Sequence, residues 1–129
     1  MKALYLSTTG DSTIEIPETL EVEGYYVGIV ELHGKLDSKR GKTCYLCSDI
    51  CEESIIGENR LPILRSIHRK PNGTLINDEM YKVIWLKVMR PSISTIRLYI
   101  CDETGEIITL GKNSLTCTLL LIPPNKNNE

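Results

Sequence analysis

Apolar residues along this chain come in short runs cut by Gly, Pro, Asn and Asp, and no stretch sustains a helical period. Runs of this length between turn residues are the pattern of a β-sandwich or barrel. Eight are legible, at residues 3–7, 12–16, 25–32, 43–47, 61–67, 81–88, 95–101 and 114–122. The seventh alternates most cleanly. Ile96, Leu98 and Ile100 share one face, and Thr95, Arg97 and Tyr99 share the other, as in a strand with one buried side. That register puts Ile96, Leu98 and Ile100 in the core, with part of the Trp85 ring beside them. The third run (YYVGIVEL) and the eighth (SLTCTLLLI) are apolar on both faces. Such strands belong at the centre of a sheet or under an outer cover.

Turn chemistry separates the runs. Thr9-Gly10-Asp11 joins the first two, Pro71-Asn72-Gly73 marks a turn, and Asp102-Glu103-Thr104-Gly105 predicts a tight turn with Gly105 at positive φ. Only residues 49–59 (DICEESIIGEN) could hold a short helix, of about two turns. The tail PPNKNNE turns polar after Pro123 and Pro124, so residues 1–124 are expected to form one domain and residues 125–129 a disordered tail.

Composition narrows the class further. With 129 residues the chain can bury a core of its own as a single domain. It has no Phe and one Trp, and Ile, Leu, Val and Thr dominate its apolar set, which favours strands over helices. A net charge of -2, with Lys and Arg scattered among acids, argues against direct binding of nucleic acid. No run approaches the roughly 18 apolar residues of a membrane-spanning helix. The start, MKALYLSTTGDS, does not read as a signal peptide, so a protein made in the cytoplasm or nucleus and not secreted is expected. In that setting the five cysteines are expected as free thiols, and the sequon Asn72-Gly73-Thr74 is expected to serve only as a turn.

The most site-like feature is Cys44-x2-Cys47-x3-Cys51. Two of these thiols could share a zinc ion, with Cys101, Cys117, His33 or His68 completing a tetrahedron. A second paired Cys-x2-Cys is absent, and Tyr45 and Leu46 read as strand, so the expected roles are plainer. Cys44 and Cys47 end a strand, while Cys101 and Cys117 fill apolar space. Asp102-x-Thr104-Gly105 echoes the Asp-Thr-Gly of aspartic proteases but carries an inserted Glu, and it reads as a hairpin turn. His33 and His68 lie near strand ends without a nucleophile at a recognisable elbow, and Glu52-Glu53 reads as a solvated pair. No Gly-rich phosphate loop is present. The chain is therefore expected not to be an enzyme, and no catalytic, cofactor-binding or metal-ligating residue is assigned.

Three segments together resemble a family. Residues 14–32, with Ile16-Pro17, Gly24 and Val27-Gly28-Ile29-Val30-Glu31-Leu32, resemble the opening of the minor capsid, or penton-like, proteins of Polinton (Maverick) elements and their adintovirus relatives. Tyr26 stands where that family commonly has Trp. Residues 45–67 match its second pattern at Tyr45, Asp49, Ile50, Ile55-Ile56-Gly57 and Pro62-Ile63-Leu64-Arg65, and residues 94–121 resemble its Asp-x-Thr-Gly hairpin and closing strand. The N-terminal part is shorter than the family's, and the end is Pro-Pro-Asn rather than a basic strand end.

The resemblance implies a single jelly-roll β-sandwich of about eight antiparallel strands. In that topology the first, eighth, third and sixth strands share one sheet, and the second, seventh, fourth and fifth share the other. It further implies a homo-oligomer, a pentameric vertex capsomer of the virion capsid, partnered by the major capsid protein, with no direct contact to nucleic acid or membrane. The loops near residues 8–11, 33–42, 68–80 and 102–113 would gather at one end of the sandwich. The competing expectation is a non-catalytic β-sandwich module that binds a protein, peptide or glycan through those loops. A small zinc-dependent enzyme is a third.

Overall fold

The computed structural model describes residues 1–36, 43–68, 75–79 and 82–124. Every regular element among them is a β-strand, and every pairing is antiparallel. In chain order they are β1 (Lys2–Thr8), β2 (Asp11–Glu21), β3 (Tyr26–Lys35), β4 (Thr43–Ser48), β5 (Ser54–Ile56), β6 (Asn59–Leu61), β7 (Ile63–His68), β8 (Leu75–Glu79), β9 (Leu86–Lys87), β10 (Ser92–Cys101) and β11 (Leu115–Ile122). One sheet runs β1-β11-β3-β8, with β9 also on β3; the second runs β2-β10-β4-β7; β5 and β6 form a separate hairpin.

The two sheets share one apolar core, the arrangement of a β-sandwich. Leu6, Val27, Ile29, Leu32, Leu119 and Leu121 come to it from the first sheet. Ile93, Ile96, Leu98, Ile100, Leu46 and Ile67 come from the second. The doubly apolar third and eighth runs are β3 and β11, paired neighbours inside the first sheet.

A β-bulge decides what β3 presents to each side. Thr118 lies opposite Glu31 and Leu119 opposite Ile29, so Val30 is an extra residue. One extra residue reverses the alternation of a strand. Ile29 and Leu32, three apart, therefore both enter the core, while Glu31 and His33 stay on the outer face. A strand without the bulge would send Leu32 outward with the carboxylate and imidazole inward, at a desolvation cost of several kcal/mol (about 2–7 for a polar group left without partners).

The structure leaves one allowance unused and corrects two expectations. Residues 49–59 form no helix. The β-branched pair Ile55-Ile56 extends as β5, and Gly57 takes a φ of +58 at the first position of the two-residue turn into β6. A left-handed residue there suits a tight hairpin and ends any helix. The sixth run does not form one strand over 81–88. Its place is taken by β8, earlier in the chain, and by the two residues of β9. Between them, residues 83–85 cross the outside of β3. A side chain at Gly28 would collide there with Val83 and press on the Trp85 ring. Trp85 accordingly covers the outer face of the first sheet, 39% exposed, instead of lining the core.

Tyr99 also departs from simple alternation. Ile96, Leu98 and Ile100 are fully buried in the core as expected, but Tyr99, on the opposite face, is only 9% exposed. It belongs to a second, smaller apolar cluster with Cys47, Ile63 and Cys101, packed against Ile56 and Leu61 of the β5–β6 hairpin and against Ile107. The expected turn at residues 71–73, the sequon, Tyr81 and the tail at 125–129 lie outside the described residues.

Candidate functional site

The structure separates the cysteines that look most like a site. Cys44 and Cys51 turn into the main core, whereas Cys47 lies on the other face of β4 in the smaller cluster. Cys47 Sγ is 3.6 Å from Cys101 Sγ, and Cys51 Sγ donates to the Ser48 carbonyl at 3.6 Å. Cys117 fills core space, as expected. All five are buried, and none is in a disulfide. Burial pushes Cys51 and Cys117 up to about 12. The hydrogen bond shared with Cys101, then burial, pushes Cys47 up as well. Thiols held this way are protonated at neutral pH and are poor nucleophiles. Among the described residues, no three His, Cys, Asp or Glu side chains gather as a metal ion would need. We expect five thiols to titrate in denaturant when the protein is purified without reductant, and almost none to react promptly in the native protein. A count below five in denaturant would show that some thiols are oxidised or blocked.

The remaining candidates resolve into local structure. Asp102 Oδ1 accepts hydrogen bonds from Thr104 N at 2.9 Å, Thr104 Oγ1 at 2.6 Å and Glu106 N at 3.0 Å. A carboxylate so engaged organises a turn, and Gly105 has the expected positive φ of +89. Thr43 Oγ1 lies 3.2 Å from His68 Nδ1, while His33 Nε2 lies 3.7 Å from Glu31 Oε2. Two of the four expected end loops meet. Leu110 N donates to the Thr9 carbonyl at 2.8 Å, and Ile100 N to the Gly10 carbonyl at 2.8 Å. Parts of the other two, residues 37–42 and 69–74, lie outside the described residues.

Two surface features could not be placed from the sequence. One is apolar: Ile55, Ile84 and Met89 are 71%, 55% and 64% exposed. The segments that carry two of them are tied to the chain after β4, because Glu52 N donates to the Lys87 carbonyl and Met89 N to the Ile50 carbonyl. Asp49 fixes the same region. Its carboxylate accepts from Arg90 Nη2 at 2.8 Å and from the Arg97 amide at 3.0 Å.

The other feature is a shallow groove of about 310 Å³ on the outer face of the first sheet. Two cross-strand rows line it: Tyr5, Thr118 and Glu31, and behind them Ser7, Thr116 and His33. Thr116 Oγ1 donates to the His33 carbonyl at 3.2 Å. The rows draw on β1, β3 and β11, which are far apart in sequence. Its only signals in the chain are the hydroxyl residues alternating in LTCTLLLI and the three-residue spacing of Ile29 and Leu32. No protein-family model and no curated protein matches this chain.

Proposed function

We propose that the chain is a structural protein of a viral or virus-derived capsid, a penton-like minor capsid protein that closes into a pentameric vertex capsomer. The observation that carries this reading is strand order. A jelly roll places its first, eighth, third and sixth strands in one sheet and its second, seventh, fourth and fifth in the other. If β5–β6 is taken as an insertion and β9 as an extension of the sixth strand, the observed orders β1-β11-β3-β8 and β2-β10-β4-β7 follow that scheme. The resemblance of residues 14–32, 45–67 and 94–121 to the Polinton and adintovirus family supplies the role, the number five and the major capsid protein as partner.

Such a protein does no covalent chemistry; its mechanism is interface area. Head-to-tail contacts close a ring when the rotation per subunit is right. Weak contacts to two neighbours and to surrounding capsomers then act together. The exposed Ile55, Ile84, Trp85 and Met89 are apolar area that such contacts could cover. The test is co-expression with the major capsid protein of the same genome, followed by imaging of the particles. Density for this chain at fivefold vertices is the expected result. Particles with complete vertices that exclude it would overturn the proposal, and a recognition module would then be the leading reading.

A further inference from the structure

We propose that the outer-face groove binds a neutral hexopyranose, the terminal ring of a glycan, with Tyr5 as its stacking platform. This does not depend on capsid assembly. Tyr5 is 79% exposed at one wall of the groove. A large aromatic ring left bare on a sheet offers a flat apolar face, and a pyranose has a matching face of C–H bonds. Opposite it, the floor and far wall carry Thr118, Thr116, Ser7, Glu31 and His33. Hydroxyl groups both donate and accept, the carboxylate only accepts, and the imidazole can do either. Adjacent sugar hydroxyls need such mixed partners, and a groove of about 310 Å³ accommodates a single ring.

Charge selects within the sugars. Glu31 lines the groove, and no Lys or Arg does among the described residues. A sialic acid, a sulfated sugar or a phosphate would set its anion beside that carboxylate with no Lys or Arg in the lining to offset it, and His33, the one titratable base there, already faces Glu31 at 3.7 Å. The bulge at Val30 is the second structural support. It brings Glu31 and His33 to the same side as Tyr5 and Thr118, and bulges recur where a strand re-aims side chains beside a site.

The test uses the full chain, isotopically labelled, titrated with methyl glycosides of glucose, galactose, mannose and N-acetylglucosamine, and with lactose against sialyllactose. Saturable amide shifts centred on residues 5–7, 31–33 and 116–118 are expected with at least one neutral sugar. Tyr5→Ala should weaken that binding about tenfold, the loss of one aromatic contact. Glu31→Gln should weaken it by a smaller factor and relax the bias against sialyllactose. Glu58→Ala, in the β5–β6 turn, should leave binding unchanged. Both groove residues are on the surface, so the amide spectrum should show the fold intact. Absence of saturable shifts with every neutral sugar would overturn the proposal. So would undiminished binding by Tyr5→Ala, or sialyllactose bound as tightly as lactose.

Discussion

Leu98→Ala is expected to lower the unfolding free energy by roughly 2–5 kcal/mol, and Arg97→Ala, one residue away, by less than about 1 kcal/mol. Leu98 is fully buried at the centre of β10, between Ser12 of β2 and Ser48 of β4. Truncating it removes apolar burial and leaves a cavity under a strand that is paired on both sides. Arg97 faces outward. Its guanidinium pairs with Asp11 through Nε–Oδ1 and Nη2–Oδ2, both at 2.9 Å, and lies 4.3 Å from the Tyr99 ring centroid. The Arg97 and Asp11 side chains are 43% and 39% exposed, so water screens most of the attraction. The hydrogen bond from Arg97 holds the Asp11 carboxyl below its ordinary value of 3.8. A lowered folded-state value contributes stability that is complete above the ordinary value and lost as pH falls through the lowered one. The small deficit of Arg97→Ala should therefore shrink in acid below about pH 4, while that of Leu98→Ala should persist. Urea unfolding across pH measures both. Equal costs at neutral pH would contradict the assigned pleat.

Gly34→Ala should be the most damaging of the glycine substitutions, at roughly 2–4 kcal/mol from backbone strain and overpacking together. Gly34 sits in β3 with a φ of +150, opposite Leu115 of β11 and Ile76 of β8. A Cβ there would collide with the Ser114 carbonyl oxygen and come within 2.8 Å of Leu115 Cα. Both obstacles are main-chain atoms, so relief requires moving β11 itself. Gly57→Ala is the control, since its φ is also positive at +58 but nothing lies within 4 Å of its added Cβ. That variant should cost about 1 kcal/mol, the backbone contribution alone. If the two variants unfold at the same urea concentration with the same slope, the close approach of β3 and β11 is not what constrains Gly34.

Legibility in the sequence followed the range of the forces involved. Residues 95–101 could be read because Ile96, Leu98 and Ile100 report a strand period within a single run. The central place of the third and eighth runs was readable because apolar side chains on both faces demand cover on both. Residues 49–59, which could have held a short helix, hold none, because Ile55-Ile56 extends as β5 and Gly57 turns the chain at positive φ. Trp85 failed for a different reason. Its position depends on the absent side chain of Gly28, more than fifty residues earlier, and nothing local signals that contact.

The chain alone therefore determined strand content, most strand positions, the inner face of β10 and the turn character of Asp102–Gly105, since these are consequences of neighbouring residues on one backbone. Tertiary structure decided which outer faces are wet. It buried Tyr99 and Cys101 under the β5–β6 hairpin and laid Val83 and Trp85 across Gly28. It also gathered Tyr5, Glu31, His33, Thr116 and Thr118 into one groove. Each of those outcomes joins residues through cross-strand register, and register is set by bulges and long-range pairing that no single run of sequence contains.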